Sequence, residues 1–157
     1  ISVTDAGELL KRYTAGGRNF QGADLREIQL AGANLSNANL IGALLNGANL
    51  KNAQLDGIKL VIADLSHADL SYASLSKAKL MGAIFVEANL SSADLSRAEL
   101  SDADLRNAKL IGAKLVGANL SAADLSGADL TGANLEAAEL SSVNLTDATM
   151  PDGSVYG

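Results

Sequence analysis

The chain has 157 residues, no cysteine, and 18 acidic against 12 basic residues, for a net charge of −6. That length fits a single domain, and the missing cysteines exclude disulfides and thiolate metal sites. The negative balance disfavours nonspecific binding to nucleic acid or an anionic membrane. The longest apolar run, Leu80 to Val86, is far too short to span a bilayer.

Residues 1–19 precede any repeat and read as a capping segment. Thr4 or Asp5 can cap a short helix on which Leu9, Leu10 and Tyr13 share one side, and Gly16-Gly17 would end it. Nothing here has the pattern of a signal peptide, although an opening residue of Ile1 rather than Met leaves room for an upstream segment that has been removed. The cytoplasm is the default expectation, with a thylakoid lumen or periplasm as the alternative if such a segment existed.

From Phe20 to Met150 one apolar residue returns every fifth position without a slip of register. This central column has 27 members, 24 of them Leu; a second column two residues earlier, Ala23 to Ala148, has 26, of which 23 are Ala. On an α-helix a five-residue step would smear the leucines over every face. On a straight strand an odd step would send alternate leucines to opposite sides. Both columns face inward only if the chain turns a corner in each repeat, as a solenoid does. In Ala33-Asn34-Leu35-Ser36-Asn37, for example, Ala33 and Leu35 point in, Asn34 points out, and Ser36-Asn37 make the bend.

The outer columns suit that geometry. Asp or Asn fills 15 of the 27 places before the central residue, Ser or Thr fills 12 of the 27 after it, and ten of the fifteen glycines fall two residues after it. Glycine there allows the positive φ of a type II turn. Ile62 and Tyr72 in the same column predict that some corners are of another type. Twenty residues per coil would stack Ile41, Val61 and Met81. Charge pairing does not choose, since Asp94 faces Lys114 at twenty and Lys79 faces Asp94 at fifteen. Ile28, Ile58 and Val143 in the small column, and Phe20 and Phe85 in the central one, read as packing variants, with Phe20 placed to plug the first coil.

The unit Ala-(Asp/Asn)-Leu-Ser-X, as in Ala93-Asp94-Leu95-Ser96-Arg97 and Ala123-Asp124-Leu125-Ser126-Gly127, resembles the pentapeptide-repeat family over residues 20–150. The resemblance implies an all-β, right-handed, four-sided β-helix with four repeats per coil. The stretch from Leu10 to Phe20 with Glu27-Ile28, and the ending Met150-Pro151-Asp152-Gly153-Ser154, are similar to cyanobacterial members. Pro151 cannot donate to another rung and favours a turn, so residues 151–157 are expected to form a terminal turn and tail. The gyrase-targeting branch dimerises through a C-terminal helix. No such helix is legible after Met150, so a monomer is expected.

No catalytic, cofactor or metal constellation is visible. His67 is the only histidine and reads as an exposed corner residue, with no Ser/His/Asp or His/Glu arrangement around it. Asp24, Asp64, Asp104 and Asp124 would share one side at twenty per coil. Paired carboxylates can bind Ca²⁺ or do acid/base work, but Asn alternates with Asp in the column, and Leu44 and Ile84 interrupt it. The unusual feature is apolar: Ile41, Val61 and Met81 replace Ser/Thr, and Leu44, Ile62, Ile84 and Val86 adjoin them in a four-sided coil, a patch of the size that marks partner sites. The leading expectation is a non-enzymatic scaffold that binds a still unidentified protein partner and neither nucleic acid nor membrane. The alternative is a DNA-mimicking regulator of a type II topoisomerase, DNA gyrase.

Overall fold

A computed structural model describes residues 3–157; the first two residues of the segment 1–19 lie outside it. The pairing is a set of parallel single-residue bridges, and every rung from Asn19↔Asn39 to Asp129↔Thr149 joins residues twenty apart. Twenty residues are four repeats, so each coil has four sides and four corners. Ile41, Val61 and Met81 therefore stack, and the fifteen-residue alternative is removed.

One repeat shows how the backbone is satisfied. At the corner Leu60 to Ala63, the Ala63 amide donates to the Leu60 carbonyl at 3.0 Å and closes the turn. The Ile62, Leu65 and Ile84 amides pair with carbonyls of Met81, Ile84 and Ala63 in the adjoining coil, at 3.0, 2.7 and 2.9 Å. The turn's second amide has no backbone acceptor, and here the Asp/Asn column acts. All fifteen Asp and Asn side chains in it, such as Asn119, accept the amide two residues on, at 2.9–3.4 Å. Where Ser74 occupies the column, Asp56 of the preceding coil accepts the Ser76 amide instead, at 3.0 Å, and the Ser74 hydroxyl as well.

The third residue of every corner from Gly22 to Asp147 has positive φ: 66–72° at the glycines and 54–64° at the others. The expectation of a second corner class at Ile62 and Tyr72 is thus corrected, since they lie at 54° and 61°. From Gly22 to Gly132 a coil-to-coil bond holds each corner in the left-handed region, so side chains that disfavour it must bear the strain.

Leucines and alanines fill the bore, and Phe85 and Ile58 are buried with them. Helix α1, Ala6–Thr14, closes the first coil. Asp5, not Thr4, is its N-cap and accepts the Glu8 amide at 2.8 Å. At the other end the Gly17 amide reaches the Arg12 carbonyl and the Gly16 amide that of Tyr13, a Schellman ending that needs Gly16 at φ 101°. Leu9 and Val3 are buried with Phe20 in one apolar cluster. Tyr13 donates its hydroxyl to the Ser36 carbonyl at 2.7 Å, and the Arg18 guanidinium stacks on its ring.

At the far end the tail folds back, with Thr149 and Val155 forming an antiparallel bridge and the Met150 and Asp147 amides bonding to Ser154 and Tyr156. This covers one side only. The amides of Leu135, Ala137, Leu140, Ser142 and Leu145 have no backbone acceptor among the described residues.

Candidate functional site

The twenty-residue register assembles the apolar patch from three coils. Ile41, Val61 and Met81 form one corner row, half-buried, and Ile62 projects from the same corner with 64% of its surface exposed. On the next side Leu44 and Ile84 bracket Asp64 in consecutive rungs, and Val86 follows at the next corner. Six of the seven residues expected to adjoin one another thus lie on one corner and the side beyond it, and Val86 lies at the corner after that. Ile111 and Val116 stand at other corners, apart from this group.

Ile62 is the residue that the fold least explains. The places one coil before and after it are Gly42 and Gly82, at φ 69° and 66°, yet between them stands a β-branched side chain at φ 54°. Such a residue costs about 1–2 kcal/mol in this region, and its exposed side chain recovers little burial in return.

Basic residues line the side before this corner. Lys59 and Lys79 are consecutive rungs of one ladder, both exposed, and neither forms an ion pair among the described residues. They stand where Asp or Asn elsewhere accepts an amide, so the Val61 and Met81 amides lack that acceptor. The sequence presents Lys79 only as a possible partner of Asp94 at fifteen residues, whereas the twenty-residue register sets it beside Lys59.

The remaining candidates are less concentrated. Asp24 and Asp104 make ion pairs with Arg26 and Arg106 at 2.7 and 2.8 Å. In both cases the guanidinium's hydrogen bond is the main cause that holds the carboxyl below its ordinary value. Asp64 and Asp124 are occupied with Ser66 and Ser126. No group of three or more His, Cys, Asp or Glu among the described residues is placed to hold a metal.

His67 requires a correction, because it does have a carboxylate partner: its Nδ1 lies 3.2 Å from Oε2 of Glu87, one coil on. The pair was hidden by its twenty-residue separation. Both side chains are more than half exposed. A polar groove of about 540 Å³ lined by Thr4, Asp24, Arg26, Glu27 and Asn46 lies near the cap, and His67 is not part of it.

Parallel rungs at a five-residue beat, an apolar bore and Asx-closed corners define a pentapeptide solenoid. The sequence matches Pentapeptide repeats in eight copies, over residues 19–52, 48–85, 83–121 and 118–152. The protein belongs to the pentapeptide-repeat family. Among solved structures it is similar to the pentapeptide repeat protein Rfr23 of the cyanobacterium Cyanothece 51142, with 27% identity over 96% of this chain and 99% of that one and a TM-score of 0.63. It is 31% identical to HetL, a pentapeptide repeat protein involved in heterocyst differentiation regulation in Nostoc sp. strain PCC 7120, over 98% and 100% of the two chains, with a TM-score of 0.26. A pentapeptide repeat protein from the Arabidopsis thaliana thylakoid lumen shares 28% identity over 69% of this chain and 65% of that one, with a TM-score of 0.36. Curated proteins include no significant match. No helix among the described residues is long and apolar enough to cross a membrane.

Proposed function

We propose that the protein is a non-catalytic scaffold that docks a protein partner on the patch of Ile41, Leu44, Val61, Ile62, Met81, Ile84 and Val86. The coil is taken as right-handed, the hand that parallel crossover connections strongly prefer. Ile62 carries the reading. Backbone strain at an exposed apolar residue, in a column where both neighbours are glycine, works against folding and fits a surface kept for contact.

The experiment is capture of partners from extract of the native cell with wild type and with Val61→Glu. The variant should keep its melting temperature within a few degrees, because its side chain points outward, and should lose the captured protein. Equal capture by both removes the patch.

The topoisomerase reading ranks second. DNA mimicry needs a continuous negative surface, whereas Arg26 and Arg106 neutralise two carboxylates of the acidic side, and lysines stand at 59, 79, 109 and 114 of the outward columns. Inhibition of gyrase supercoiling by added protein would restore it.

A further inference from the structure

We infer that the partner presents an amphipathic helix whose apolar stripe lies along the Ile41–Val61–Met81 row and whose one flank carries carboxylates that meet Lys59 and Lys79. This rests on the docking patch proposed above and adds the chemistry of what docks there.

The charge argument begins with the ladder. Like charges in facing positions of adjacent rungs repel; Lys59 and Lys79 face each other, and Glu99, the rung after Lys79, makes no ion pair with it. Lys77, exposed at the corner on their far side, adds a third cation. The unit Lys-Leu-apolar also occurs at Lys109–Ile111 and Lys114–Val116, but singly and on different sides. Only Lys59–Val61 and Lys79–Met81 repeat it in consecutive coils, so there a basic row runs parallel to an apolar row.

Across the patch the sign reverses. Asp64 lies between Leu44 and Ile84, and Glu87 stands at the next corner. A ligand seated beside Val61 and Met81 therefore meets Lys59 and Lys79 on one edge, which Glu99 ends one rung further on, and carboxylates on the other. The spacing favours a helix over a strand. Coils repeat at about 4.8 Å, near the 5.4 Å helical pitch, whereas same-face residues of a strand recur at about 6.7 Å. Along three coils a helix can keep one apolar side chain per row member.

Binding of two synthetic amphipathic helices tests this: one of Leu with Glu along a flank, the other with Lys in place of each Glu. Net charge alone favours the Lys peptide on a protein of −6. The inference predicts the reverse, with the Glu peptide bound at least ten-fold more tightly and released by salt. Lys59→Glu/Lys79→Glu should abolish that preference, while Lys109→Glu/Lys114→Glu should leave it intact. Circular dichroism checks that both variants are folded. Equal binding of the two peptides, preference for the Lys peptide, or indifference to the Lys59/Lys79 change overturns the charge assignment. Val61→Glu separates the two levels: if the two peptides bind wild type equally and the variant loses both, the patch stands and the flank assignment falls. If neither peptide binds wild type, the inference falls, and partner capture decides the patch independently.

Discussion

Single side chains in this protein do work that the five-residue pattern only half discloses. The Asp/Asn column is legible from sequence as turn-forming, but its task, closing the one corner amide that the coil-to-coil bonds leave over, emerges only with coordinates. Asn119→Ala removes the acceptor of the Ser121 amide and should cost about 1 kcal/mol in urea unfolding. Lys109→Ala, in the same column without that bond, should stay within about 0.5 kcal/mol of wild type. The Asp104–Arg106 pair adds a pH dependence. Its carboxyl is held below the ordinary 3.8, first by the Arg106 side chain, with burial opposing. A lowered folded value gives stability that is complete above the unfolded value and lost as pH falls through the folded one. Asp104→Asn keeps the turn acceptor and loses the ion pair. Its melting temperature should lie below that of wild type at pH 7, and the gap should close below about pH 4.

Elements divide between those written locally and those that neighbours impose. Helix α1 was readable from Asp5, Leu9 and the paired glycines because caps and amphipathic spacing are local signals. Its docking was not, since the Tyr13 hydroxyl bond spans 23 residues. Leu9→Ala should cost about 2–5 kcal/mol, read as a lower urea midpoint and as faster proteolysis around Gly16. The corners show the opposite case. Ile62 and Tyr72 look unsuited to positive φ, yet the adjoining coils fix them there. Ile62→Gly relieves the strain while it frees the unfolded chain by about 1 kcal/mol. Stability should therefore change little, while partner capture falls.

For the whole molecule the repeat specified the bore, and the bridges supplied what it lacked. Charge pairing had offered both fifteen and twenty residues per coil, and Asp94 and Lys114 do stand in register, though without an ion pair. Exposed opposite charges contribute too little to choose a register, whereas the stacking of the apolar corner row agreed with the result. The patch was legible because its members break a strict rule, and the lysine flank was missed because lysine in an outward column breaks none. In a solenoid each coil is supported by its neighbours, so Leu95→Ala should destabilise by about 2–5 kcal/mol, with the Ala73 and Ala118 coils loosened before the ends.

The two termini of the tube differ in cover: α1 packs on one, where the Asp24, Gln29 and Asn34 amides have no backbone acceptor among the described residues, and the other has five such amides and no helix. Amide deuteration should therefore enter at both ends and advance further from the uncovered one. Ala137 and Ser142 should exchange within seconds to minutes and Gly82 only on global opening, so the protein should unravel in order, like a spring let go at its free end.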